Sequence, residues 1–541
     1  MKATIGSALS AQRLLLHVTA CGLAALTGTN SLAAAGCEAL SGLTLPDTTI
    51  TLAESVGAGA FRPPAGSAAP FANLPAFCRV AGTIAPTGDS SIRFEVWMPE
   101  SNWNGKFMGV GGAALTGAIY YDLPPGIRTA PGLAGGLAAG YATAGTDTGH
   151  VGTSPLASDW AIGHPQKVID FGHRAVHEMT VKAKAIIAAF YGRTPQYSYF
   201  NGCSTGGRQG LAEAQLYPAD YDGILAGAPA NYMTHLLASS LWIARAVHKD
   251  PANHVPTSFL GPLNGAVMAA CDALDGVTDG VLQDPRRCKF NPQVLLCSGT
   301  STSNCLTAAQ LDGLMKVYAG PRNPGNGDVI FPGLAPGGEL AWAGWLTGTS
   351  LNVLHFLAGN GAFRDLMFED PKWDWTTFDF DRNLAVAAAK VVGIINNTNP
   401  DLRAFRALGH KLIQYHGWND QAVSPLNSIN YYDSVLSAMG TLLQTDSESA
   451  LNDTRGYYRL FMVPGMAHCG VPGTDGLDAI SALDQWVTTG KAPEAIIHSR
   501  VMNGRVDRTR PVCPYPQVAR WTGSGSTDDQ ASFVCAAPDE R

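Results

Sequence analysis

A serine at the turn between a strand and a helix limits this chain more than any other feature. Tyr197-Ser198-Tyr199-Phe200 reads as a strand, Gly202-Cys203-Ser204-Thr205-Gly206 follows it, and a helical stretch runs from Gly206 to Leu216. Glycines at both ends of the pentapeptide permit a sharp turn that lifts the serine hydroxyl out beside a helix N-terminus. In a chain with 61 glycines composition alone gives roughly half a match to this pattern by chance, and the strand before it and the helix after it are what give it meaning.

A serine hydroxyl is a poor nucleophile until a base removes its proton, so the rest of the chain must supply a histidine and an acid to orient it. Pro464-Gly465-Met466-Ala467-His468-Cys469-Gly470 is a loop directly after the apolar run Tyr458 to Val463, and it offers His468 as the base. The strand-like run Lys411 to Tyr415 leads into His416-Gly417-Trp418-Asn419-Asp420, which offers Asp420 as the acid, with Asp433 second. The order serine, aspartate, histidine is that of an α/β-hydrolase. A surface histidine and a turn-forming aspartate are the plain alternatives. In that architecture the oxyanion hole is built from the amide after the nucleophile, here Thr205, and one on the loop after Lys106 to Val110, where Gly111 and Gly112 stand. His416 is assigned to substrate contact.

Each presumed catalytic residue has a cysteine neighbour, Cys203 beside Ser204 and Cys469 beside His468. A disulfide between them would tie the serine loop to the histidine loop, since bonded cysteines keep their Cα atoms about 5.5 Å apart. The chain has eleven cysteines, and removing Cys21 with an export signal leaves ten, an even number suited to an oxidising compartment. Proximity pairs Cys37 with Cys78, Cys271 with Cys288, Cys297 with Cys305, and Cys513 with Cys535, leaving Cys203 and Cys469. Spacing alone does not prove that connectivity, and a free, reactive Cys203 thiol is the competing reading. The export signal is read over residues 1–35: Lys2 and Arg13, then the apolar stretch Leu14 to Leu26, then Ala33-x-Ala35 for cleavage. Secretion or periplasmic delivery is expected, with lipid attachment at Cys21 the less favoured alternative.

A formal net charge of −7 with no Lys/Arg-rich run excludes a nucleic-acid role, and 46% hydrophobic against 15% charged residues excludes disorder. No other apolar run reaches the ~18 residues of a membrane span. At 541 residues the chain is too long for one ordinary core. The strand patterns at Ile92–Val96, Lys106–Val110 and Gly140–Gly145, and helical spacing over Asp170–Ala189, place a first core segment at 36–231. The pattern turns irregular between 232 and 400, which reads as an inserted lid, and the core resumes over 401–541. Within the lid, Asp272, Asp275 and Asp279 crowd a glycine-containing loop. With the carbonyls of Val277 and Val281 they form a hard-oxygen set suited to Ca²⁺, and a solvated Asp-Gly turn is the alternative.

With these residues assembled, the chain resembles the tannase and feruloyl esterase family, which also contains mono(2-hydroxyethyl) terephthalate hydrolase. The resemblance rests on Gly202 to Gly210, the paired-cysteine Ser-Asp-His set and the Asp272–Val281 loop. It implies an α/β-hydrolase core with a large inserted lid, a structural calcium ion, five disulfides in the pairing above, and hydrolysis of small aromatic acid esters. Phe363-Arg364-Asp365-Leu366-Met367-Phe368 is similar to a lid stretch that holds the acyl group, so Arg364 would meet a carboxylate and Phe368 a ring. Thr205 is typical of feruloyl esterases, which favours a hydroxycinnamic or other phenolic ester, with tannase or terephthalate-monoester activity as the alternative. A secreted aromatic-ligand-binding protein on the same fold is the non-enzyme reading, against which the complete Ser-Asp-His set stands.

Overall fold

The computed structural model describes residues 34–63, 71–115, 117–122, 132–152, 154–298, 304–348, 351–470 and 475–538. Nearly all of the expected export signal, including Cys21, lies outside the described residues. A nine-stranded sheet organises the molecule: β1 (Thr48–Val56), β2 (Phe77–Ile84), β3 (Ile92–Pro99), β4 (Lys106–Val110), β5 (Ala142–Thr146), β6 (Tyr197–Cys203), β7 (Gly223–Gly227), β8 (Lys411–Gly417) and β9 (Tyr458–Val463). The spatial order is β1-β2-β3-β5-β4-β6-β7-β8-β9, antiparallel up to the β3–β5 pair and parallel from there onward.

The parallel strands are buried along nearly their whole length, as helices on both faces require. Alternation still decides which side chain faces which layer. Phe200 packs with Met179, Ala183 and Ile186 of the helix Ala175–Tyr191, while Tyr199 beside it packs with Leu483 and Trp486 of the helix Ala479–Thr489. The helix expected from Asp170 starts five residues later, because Asp170–Arg174 forms a wider π turn ahead of it.

Between β7 and β8 no described residue adds a strand to this sheet. The irregular pattern of that stretch hides helices, at Met233–His248, Leu260–Cys271, Ala308–Ala319, Leu354–Gly361 and Arg382–Ile395. Met233–His248 explains why: Leu237 and Leu241 face one apolar cluster and Ile243, Ala246 and Val247 another, so no single stripe marks it. At the C-terminal end, Asp475–Leu477, Ile496–Met502 and Arg505–Val512 form a three-stranded sheet, and Val518–Trp521 with Phe533–Ala536 a two-stranded one. Among the described residues no helix is long and apolar enough to cross a membrane.

All five expected disulfides are present: Cys37–Cys78, Cys203–Cys469, Cys271–Cys288, Cys297–Cys305 and Cys513–Cys535. Five such bonds mark a protein of an oxidising, extracytoplasmic setting.

Candidate active site

β6 ends at Cys203 and the next helix begins at Thr205, so Ser204 alone makes the turn. Its backbone lies at φ 62°, ψ −121°, a region costing a non-glycine residue roughly 1–3 kcal/mol. The surroundings hold it there: its N–H donates to the Gly227 carbonyl at 2.9 Å, and its carbonyl accepts from Arg208 and Ala230 at 3.0 and 3.2 Å. The flanking glycines are a packing necessity. A Cβ on Gly202 would lie 2.6 Å from the Gly206 backbone, and one on Gly206 2.9 Å from the Gly112 carbonyl oxygen.

Asp420 follows β8 and His468 follows β9, so parallel neighbours deliver both to the same end of the sheet as Ser204. His468 Nδ1 lies 2.7 Å from Asp420 Oδ2, and the other carboxylate oxygen accepts the Ala422 and Val423 amides, both at 2.8 Å. Burial by itself would raise the Asp420 carboxyl, but the His468 charge and the hydrogen bonds of His416 and His468 hold it well below the usual carboxylate range. The acid is therefore ionised, and it fixes the His468 tautomer with the proton on Nδ1, leaving Nε2 as the basic nitrogen. The Cys203–Cys469 bond, with Cα atoms 6.0 Å apart, joins the residues next to Ser204 and His468.

His416 does not reach substrate space. Its side chain is fully buried, with Nε2 3.0 Å from both Asp420 Oδ2 and the Val423 carbonyl and Nδ1 2.7 Å from Ser428 Oγ. The expected substrate contact is replaced by a role beneath the acid, where His416 is a buried prop for Asp420. Asp433, the second acid considered, makes no such contact with His468; burial raises its carboxyl.

The glycine loop after β4 is already engaged. Gly111 N–H donates to the Asn201 carbonyl at 3.0 Å, and Gly112 N–H to Gln209 Oε1 at 2.9 Å. Thr205 Oγ1 donates to the Ala114 carbonyl at 2.6 Å. Thr205 and Gln209, one turn apart on the nucleophile helix, thus clasp the loop from two points. The Gly111 amide is taken up within that clasped framework by the Asn201 carbonyl.

From the lid, Trp345 reaches the base: its ring lies 5.9 Å from that of His468. It packs with Tyr232, Leu236, Val423 and Ala230, an apolar group against the acid loop and the serine turn. Arg364 and Phe368 make their contacts within the lid. Arg364 is bonded through Nε and Nη2 to Asp365, both at 2.7 Å, and lines a cavity with Leu156, Ser158, Leu354 and Leu357 whose described lining includes neither Ser204 nor His468. Phe368 packs against Phe363 and Trp373. Sequence spacing could not tell which lid aromatic faces the base.

In the acidic loop, both Asp272 oxygens accept Gly280 N–H, at 3.1 and 3.0 Å, and Asp275 Oδ1 accepts Val277 N–H at 2.9 Å. Asp279 Oδ2 pairs with Arg508 and Arg510 at 3.2 and 2.7 Å. Burial first, and then the charges of Asp279 and Asp272, push the Asp275 carboxyl up to about 6. Its donors are all oxygen, the chemistry a hard cation takes. Among the described residues, no three His, Cys, Asp or Glu side chains already converge as a cage.

A mixed sheet with helices on both faces, a strained serine between strand and helix, and a buried Asp-His pair after the last two strands define an α/β-hydrolase. Comparison with known proteins narrows this. The profile described as tannase and feruloyl esterase matches residues 78–536. An uncharacterized esterase of Xanthomonas campestris pv. campestris is 40% identical, covering 97% of this chain and 95% of its own. The mono(2-hydroxyethyl) terephthalate hydrolase of Piscinibacter sakaiensis is 35% identical over 93% of this chain and 92% of its own. The crystal structure of feruloyl esterase B from Aspergillus oryzae superposes with a TM-score of 0.82 at 29% identity, covering 92% of this chain and 99% of that one. The chain belongs to the tannase and feruloyl esterase family and is a carboxylic ester hydrolase.

Proposed function

We propose that the protein is an exported serine esterase of the feruloyl esterase type, with Ser204 as nucleophile, His468 as base and Asp420 as the orienting acid. The observation that carries this is the 2.7 Å His468–Asp420 contact on a loop covalently tied to the serine turn. His468 Nε2 takes the Ser204 proton as Oγ attacks the ester carbonyl, the alcohol leaves with that proton, and water repeats the sequence on the acyl-enzyme. Thr205 N–H supplies one oxyanion donor, and Gly112, once released from Gln209, the second. The aromatic acyl group fits the apolar surface of Trp345, Tyr232 and Leu236 beside the base. The leader over residues 1–35 directs export. The substrate is a small molecule, and neither nucleic acid nor stable membrane insertion enters.

The names of its relatives leave three acyl types in play: hydroxycinnamate, gallate and terephthalate. Arg364 is already paired with Asp365 through Nε and Nη2, which weakens its hold on a free substrate carboxylate and favours the hydroxycinnamate. Measured side by side, methyl ferulate should show a kcat/KM at least tenfold above methyl gallate and a terephthalate monoester. Preference for either of the others reverses the assignment.

We further propose that Asp272, Asp275 and Asp279, with the Val277 and Val281 carbonyls, hold a structural Ca²⁺ that gathers these carboxylates when it binds. Supporting this are the all-oxygen donors that Asp272, Asp275 and Asp279 bring to one short loop. Chelation should lower the melting temperature before it lowers the rate at moderate temperature. An unshifted melting curve in excess EDTA, with no calcium by elemental analysis, would remove the ion from the account.

A further inference from the structure

The loop carrying the acid is held by the lid at three successive points. Asn419 Nδ2 donates to the Gly337 carbonyl at 3.0 Å, and Ser424 Oγ to the Gly333 carbonyl at 2.7 Å. Between them the Gln421 carbonyl lies 2.9 Å from Nε2 of His355, on the lid helix Leu354–Gly361. The two surfaces approach closely, since a Cβ on Gly338 would lie 2.9 Å from the Asn419 carbonyl oxygen. His355 is buried, which drives its pKa down to about 4 and keeps the ring neutral. A neutral ring has one N–H. A carbonyl can only accept, so that proton sits on Nε2, and Nδ1 accepts from Ser240 Oγ at 3.1 Å.

Gln421 also touches the base. Its side-chain Oε1 accepts the His468 main-chain N–H at 3.2 Å, while its neighbour Asp420 holds the same residue's ring. Main chain and ring of His468 are thus fixed by adjacent residues of one loop, and that loop is anchored to the lid.

We propose that Gln421 is a positioning residue that transmits lid packing to the base along the chain Ser240–His355–Gln421–His468. The lid then does more than shape a substrate cleft: its seating on the acid loop sets where the imidazole stands. The proposal rests on the Ser204–His468–Asp420 reading above. Displacing a reacting group by about 1 Å costs on the order of 10²-fold in rate, and a main-chain anchor of the base acts on that coordinate.

The test compares purified Gln421→Met, Gln421→Glu and His355→Phe with the parent enzyme and with Ser204→Ala, on one chromogenic ester. Gln421→Met keeps length and loses the acceptor, and should lower kcat by about 10- to 100-fold with KM within twofold. Gln421→Glu restores an acceptor oxygen and should recover most of that loss. His355→Phe should show the same kcat-weighted loss, and the double variant His355→Phe/Gln421→Met should fall short of the product of the two, because the His355 hold on the Gln421 carbonyl reaches His468 through the Gln421 side chain. Melting curves identify any variant that has not folded, and Gln421→Glu against the parent then carries the comparison. An unchanged kcat in folded Gln421→Met, a loss confined to KM, equal losses in the Met and Glu variants, or a Glu variant that falls well below the parent would each overturn the proposal. An active Ser204→Ala enzyme would instead overturn the triad reading itself.

Discussion

Ser204→Ala should lower kcat by about 10⁴–10⁶-fold and leave the melting temperature nearly where it was. The side chain removed is small and half-buried, and the three hydrogen bonds that hold the turn all come from its backbone, so alanine inherits the same conformation. What disappears is the only oxygen on the turn that can form the acyl-enzyme. Asp420→Asn should be comparably damaging for a different reason. Its carboxylate accepts from His468, His416 and two amides, and an amide nitrogen in place of one oxygen would face donors instead of accepting from them. Hydrolysis of p-nitrophenyl acetate by the purified variants measures both effects. More than a few per cent of parental activity in Ser204→Ala would take the nucleophile role away from it.

The second large effect is expected from Cys203→Ala/Cys469→Ala. Ser204 lies on the turn after β6 and His468 on the loop after β9, with two strands between them in the sheet and the whole lid between them in sequence. Packing positions each loop on its own strand, and the Cys203–Cys469 bond links the two covalently beside the catalytic residues. Freed of it, the loops should drift relative to each other. A rate loss on the order of 10²-fold, carried by kcat far more than by KM, is the expected result. Stability should fall by about 2–5 kcal/mol, the usual range for removing a native bond. Peptide mapping of the unreduced parent should recover the two peptides joined. Free thiols at both positions in fully active enzyme would defeat this and return Cys203 to consideration as a reactive group.

Much of the site was legible in one dimension because its chemistry is tied to local backbone geometry. Gly202 and Gly206 are needed where backbone approaches backbone, and only a strand-turn-helix context makes that approach, so the pentapeptide and its flanks carry their own evidence. Asp420 and His468 each follow a strand buried along nearly its whole length, a pattern that an apolar run announces. The cysteine neighbours tied these segments together across the chain.

Other features depended on which surface each side chain meets, and a linear pattern does not encode that. The lid helices are apolar on more than one side, so the 3.6-residue stripe that betrays a surface helix is missing from them. His416 belongs to the site, but burial beneath Asp420 makes it a prop for the acid and withholds it from substrate. Arg364 is neutralised by the residue next to it, while Trp345, with no motif around it, stands over the base. Gln421 is unremarked in sequence and becomes significant only when the lid and two sheet loops meet. Local backbone demands and buried strands are written in the order of residues; the partners of a polar or aromatic side chain are decided by how separate segments pack together, and that required the folded structure.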